Sequence, residues 1–272
     1  MDHSPASPMP AMRLLPSSCH PGTRQMAIDS LLLDQREPAF RLYSWQRPTL
    51  SLGFHQRCIE PHWQELAAAG VIDLVRRPSG GRAVLHAGEL TYALVWPDPP
   101  LSRLQTYGRA CGWLVNSFAA LGLPLQPGRQ AASQQPSSCF ATSTAADLGH
   151  ASGVKRVGSA QLWRRGCLLQ HGSILLEPPA DLWKLVFGGP PPDLPVLPVD
   201  RAELELRLIQ SAQAELPAAA AGNRTIPLSS EEWERIAATE ASYLLALAGP
   251  SSLASPEATI ERTTWARARP SG

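Results

Sequence analysis

The stretch from Val71 to Trp96 limits the possible folds more than any other. Val71-Ile72-Asp73-Leu74-Val75 reads as a short strand, and Arg76-Arg77-Pro78-Ser79-Gly80-Gly81 interrupts it. Arg82 to Trp96 then reads as two strands joined by a turn at Ala87-Gly88. Two more β-like runs precede it, residues 40–45 (FRLYSW) and 49–54 (TLSLGF), with Gln46-Arg47-Pro48 between them. Around these lie helical patterns: one after Thr23, a possible cap, through Met26, Ile28, Leu31 and Leu32, and one from Pro61 to Gly70. A third runs from Leu101 to Leu123 through Leu104, Tyr107, Cys111, Leu114, Phe118 and Leu121. No strand opens into GxGxxG, so a Rossmann array is set aside. The expected class is α/β (α+β), a mixed β-sheet core with flanking helices.

The 272 residues suit one large domain. Residues 1–22 are Pro/Ser-rich and aperiodic and are expected to form a loose leader. A main domain is expected over 23–250 and a tail over 251–272. Within that domain a polar loop runs from Pro127 to Ser138, and strands alternate with turns over 139–177, Gly153 marking one turn. Cys167-Leu168-Leu169 and Ser173-Ile174-Leu175-Leu176 read as buried strands. Residues 178–250 read as a covering loop followed by helices near Ala202–Leu216 and Glu231–Leu247, the second capped by Ser229 or Ser230.

With 44% hydrophobic and 17% charged residues, wholesale disorder is excluded. A net charge of +1, from 24 basic and 23 acidic residues, argues against nucleic-acid or membrane-surface binding by bulk charge. No apolar run approaches the ~20 residues that span a bilayer, and no basic-then-apolar signal pattern opens the chain. A cytoplasmic location is expected. Cys19, Cys58, Cys111, Cys139 and Cys167 are an odd set without CxxC pairing, which argues against a disulfide framework and a structural zinc site. His86 and His171 share no recognisable metal spacing with any carboxylate, so no metal is expected.

Three segments could carry chemistry. In Arg76 to His86, paired glycines allow positive φ and close backbone approach to a ligand; on these residues alone a tight turn with solvated arginines is the favoured reading, because Gly-Gly turns are common. In Gly153 to Gln161, Lys155 starts a β-alternating stretch and Gly158-Ser159-Ala160 leaves room for a ligand; Gln170-His171-Gly172-Ser173 follows. Lys155 and Lys184 are the two lysines among 24 basic residues, and an amine, unlike a guanidinium, can release its proton. The third segment is Pro136-Ser137-Ser138-Cys139-Phe140. Cys111 and Cys167 sit in apolar patterns and read as inert core thiols, whereas Cys139 ends a polar loop. A thiol beside a lysine ammonium is the more readily ionised and the better nucleophile.

Together, residues 26–32 (MAIDSLL), 48–53 (PTLSLG), 76–92 (RRPSGGRAVLHAGELTY) and 155–176 (KRVGSAQ…GCLLQHGSILL) resemble the lipoate-protein ligase A and biotin-ligase-like superfamily, in order, over roughly 23–180. Ser137-Ser138-Cys139-Phe140 and Glu89-Leu90-Thr91-Tyr92 are most similar to the cysteine-dependent, LipM-type octanoyltransferase branch. Where that family usually has an acidic residue after the histidine, this chain has Ala87. The resemblance implies a biotin/lipoate-ligase-like catalytic domain that moves an octanoyl group from octanoyl-acyl carrier protein onto an enzyme cysteine. The group then passes to a lysine of a lipoyl-domain acceptor, either the glycine cleavage H protein or a dehydrogenase E2 domain. It implies Cys139 and Lys155 as catalytic residues. Arg77, Ser79, Gly80, Gly81, Ala83, His86, Gly158, Ser159, Ala160, His171 and Gly172 would bind substrate. A thioester donor is already activated, so no cofactor is expected. Two alternatives stay open: an ATP- and Mg-dependent lipoate-protein ligase forming lipoyl-adenylate, and a non-catalytic lipoyl-domain-binding protein of the same fold.

Overall fold

The computed structural model describes residues 10–128, 147–217 and 221–245. Its centre is a nine-stranded mixed sheet ordered β12-β1-β3-β7-β11-β10-β9-β8, with β2 beside β3. These strands are β1 (Met12–Leu14), β2 (Ser18–His20), β3 (Ala39–Trp45), β7 (Glu89–Pro97), β8 (Gln126–Pro127), β9 (Leu148–Gly149), β10 (Lys155–Arg164), β11 (Cys167–Leu175) and β12 (Asn223–Thr225). A smaller sheet, β5-β4-β6, is built from β4 (Thr49–Leu52), β5 (Asp73–Arg76) and β6 (Val84–His86). The α/β architecture expected from the sequence is present. No helix among the described residues is long and apolar enough to cross a membrane.

Apolar alternation explains the layers. On β7, Leu90, Tyr92 and Leu94 face a core shared with α3 (Arg103–Ala120) and α5 (Arg201–Glu215), while Ala93 and Val95 face one shared with α1 (Gly22–Gln35) and α6 (Ser230–Thr239). A third core lies under the small sheet, closed by α2 (Pro61–Ala68) and α4 (Ala180–Phe187). Ser102 and Ser229 each close a capping box, with Gln105 and Glu232, at the starts of α3 and α6.

Several expectations are corrected. The leader does not run to residue 22: Met12 and Leu14 are buried, and β1 and β2 pair in parallel with β3. Three-residue strands are too short to show periodicity between prolines. Thr23 does not cap α1, because Pro21 occupies the N-cap with no side-chain bond. Cys167–Leu175 is one continuous strand rather than two. The last helix ends at Thr239 and continues as a 3₁₀ turn, Glu240–Tyr243. The expected covering segment holds α4, and past it the backbone is clasped by Arg156, whose buried guanidinium donates to Leu175 O at 2.9 Å and to Pro195 O. The expected tail, 251–272, lies outside the described residues.

Candidate active site

Where the small sheet meets the main one, a cavity opens that encloses about 450 Å³ with its mouth included. The small-sheet side contributes Ser51, Arg77, Gly81, Val84 and His86. Across it lie Tyr43, Trp45, Thr91, Gly158 to Ala160, and His171 to Ser173, with Met26 of α1. Pairing fixes this wall: Gly158 stands opposite Ser173, Ala160 opposite His171, and Ser173 opposite Thr91.

Each histidine in the wall is held between a serine and a buried carboxylate. His171 Nδ1 lies 2.8 Å from Asp29 Oδ2 and its Nε2 lies 2.5 Å from Ser79 Oγ. His86 Nδ1 lies 2.5 Å from Glu89 Oε1 and its Nε2 lies 2.7 Å from Ser51 Oγ. A carboxylate facing Nδ1 places the proton there, which leaves Nε2 to accept from the serine hydroxyl. Burial pushes the Asp29 carboxyl up, but the Arg41 guanidinium at 2.6 Å and His171 together hold it below its ordinary value. The His86 ring is also stacked on Trp45, with centroids 3.8 Å apart. Glu89 thus supplies, three residues on, the acid that Ala87 does not.

The paired-glycine segment is a braced loop, not a turn with solvated arginines. The guanidinium of Arg77 donates to the carbonyls of Ser51, Gly80 and Arg82, and Arg77 is 5% exposed. Gly81 has φ +97, a left-handed conformation that disfavours other residues. The closest approach comes from Gly53, where a Cβ would stand 1.9 Å from Gly81 O. The loop therefore lies directly on the end of β4.

Of the residues expected at a site, Arg77, Gly81, His86, Gly158, Ser159, Ala160, His171 and Gly172 line this cavity. Ser79 reaches it through His171, and Gly80 through its carbonyl bond to Arg77. Ala83 is not brought there; it is buried in the core beneath the small sheet. Lys155 lies at the start of β10, buried, its Nζ 2.9 Å from Asp147 Oδ1. Cys139 falls outside the described residues. Cys111 and Cys167 are buried, and burial pushes both thiols up to about 11, as suits inert core cysteines.

Sequence reasoning missed Asp29, Arg41, Trp45, Ser51, Glu89 and Asp147. One signal was present: Asp29 interrupts the apolar run of α1 between Ile28 and Leu31, where an unpaired carboxylate would be costly. The partners themselves come from distant strands, which no local pattern shows.

Residues 21–191 match the lipoyl protein ligase A/B catalytic domain profile. Octanoyltransferase LipM of Kyrpidia tusciae is 38% identical over an alignment of 186 positions that covers 62% of this chain and 67% of that protein. Octanoyltransferase LipM of Symbiobacterium thermophilum is 35% identical over 61% of this chain and 65% of its own length. The chain thus spans about two thirds of each relative. Among solved structures, a bipartite lipoate protein ligase from Thermoplasma acidophilum, studied with its E2 lipoyl domain, superposes with a TM-score of 0.65 at 19% identity. That match covers 86% of this chain and 92% of that one and shows the shared fold.

Proposed function

The chain belongs to the lipoyl protein ligase A/B catalytic domain family, and from that premise we propose that it transfers octanoyl from octanoyl-acyl carrier protein, through a Cys139 thioester, to a lipoyl-domain lysine. It is an acyltransferase of protein lipoylation. The observation that carries the fuller reading is the 38% identity to an octanoyltransferase LipM, joined to Cys139 in the Ser-Ser-Cys-Phe segment.

In the first half-reaction the Cys139 thiolate attacks the thioester carbonyl, and the C–S bond to the carrier breaks with release of its thiolate. Exchange of one thioester for another is nearly isoenergetic. In the second, the neutral acceptor amine attacks, the C–N bond forms, and the Cys139–carbonyl C–S bond breaks, the Cys139 thiolate leaving while the amine's proton passes to solvent. Amide formation drives the sequence, and no nucleotide or metal is needed. Lys155, held by Asp147, acts as a fixed positive charge that favours the thiolate. The cavity's apolar side chains take the methylenes, worth ~0.8 kcal/mol for each one buried. The acceptor is the glycine cleavage H protein or a dehydrogenase E2 lipoyl domain; the T. acidophilum relative studied with such a domain supports this class.

Intact-mass measurement after mixing with octanoyl-acyl carrier protein, without ATP, tests the scheme. One octanoyl adduct is expected, removable by hydroxylamine, absent from Cys139→Ser, and not on Cys111 or Cys167. A requirement for ATP and Mg²⁺ would replace this reading with the ligase.

A further inference from the structure

Ser173 is the one hydroxyl in the cavity wall whose oxygen has no partner among the described residues, although the residue is only 3% exposed. Its neighbours are all committed. Ser51 Oγ pairs with His86, and Ser159 Oγ with Tyr92 OH at 2.8 Å. Thr91 Oγ1 accepts from Trp45 Nε1 and donates to Glu89. A buried hydroxyl left unpaired costs ~1–3 kcal/mol, so a group brought by the ligand is its natural partner. An octanoyl group has a single hydrogen-bonding oxygen, at its carbonyl.

Register places Ser173 toward the Lys155 end of the cavity wall. It stands opposite Gly158, three residues along β10 from Lys155, with a register shift between Lys155 and Val157. His171, opposite Ala160, lies farther from Lys155 along the same strand. Regular pairing of β11 with β7 puts the Ser173 side chain on the same face as those of His171 and Thr91.

We propose that Ser173 is a catalytic hydrogen-bond donor whose hydroxyl binds the acyl carbonyl oxygen and stabilises the oxyanion formed when the thioester is attacked. This rests on the transferase reading. The bond strengthens as negative charge gathers on the oxygen, so its loss should lower kcat more than it raises KM. Removal of one oxyanion donor elsewhere slows turnover by about 10²–10³-fold, and a fall near the lower figure is expected for Ser173→Ala. Ser173→Thr keeps the hydroxyl and should restore most of the rate.

A second readout is independent of turnover. With ¹³C at the octanoyl carbonyl, isotope-edited infrared spectra of the acyl-enzyme should show a lower stretching frequency in the wild type than in Ser173→Ala. A carbonyl band unmoved by Ser173→Ala, or an unchanged kcat, overturns the assignment. Failure of the wild type to take up octanoyl at all overturns the transferase reading instead, which separates the two.

Discussion

Asp29 lies mid-helix among apolar neighbours, yet three side chains converge on it. Arg41 reaches Oδ1 at 2.6 Å, and Tyr43 OH at 3.2 Å and His171 Nδ1 at 2.8 Å reach Oδ2. Neither Asp29 nor Arg41 is more than 1% exposed, so the pair is desolvated and each charge depends on the other. Removing one partner of such a pair costs about 3–5 kcal/mol, because the other charge is left buried without compensation. Asp29→Asn is therefore expected to lose stability in that range and to release the His171 ring from its fixed tautomer. Urea unfolding measures the first effect; a loss under about 1 kcal/mol would show that Asp29 does not hold this site together.

Glu232 does for α6 what Asp29 does for the pocket. Its carboxylate accepts from Arg13 of β1 at 2.6 and 2.8 Å, from Gln35 of α1 at 2.5 Å, and from the Ser229 amide at 2.7 Å. The bond to Arg13 leads in holding this carboxyl at about 2, below its ordinary 4.5. A depressed folded-state value means that the stabilisation is present above 4.5 and is lost as pH falls toward 2. Unfolding curves collected from about pH 6 to pH 3 should therefore show an acid-side fall in stability that is shallower in Glu232→Gln. Identical slopes would remove the latch. This latch was invisible in the sequence, which showed α6 and its Ser229 cap but not β1, read as part of a loose leader. Local patterns named the longer strands and most helices, and the glycine loop and both histidines, because periodicity and turn chemistry are short-range. The carboxylates behind those histidines escaped because their pairing is set by which strands meet. Glu89 shows this well: its ELTY segment was a family marker, and its bond to His86 needs the tight turn at Gly88, φ +67.

At the scale of the molecule, the site belongs to neither sheet alone. His171, Ser173 and Thr91 come from the main sheet, whereas Ser51, Arg77, Gly81 and His86 lie in or beside the small one. A ligand seated between them touches Tyr43 and Trp45 at the core shared with α1 and Val84 of the core under the small sheet. Occupancy should then raise protection of both sheets together. A ligand present at 100 times its Kd adds about 2.7 kcal/mol, a rise of roughly 5–10 °C in Tm for a domain of this size. A non-transferable octanoyl-pantetheine ketone tests this by hydrogen exchange. Slowed exchange is expected in β4 and β6 as well as in β7, β10 and β11. Protection confined to one sheet would mean that the acyl chain does not lie in the cavity between them, and the roles given to Gly81 and His86 in binding it would fall with that result.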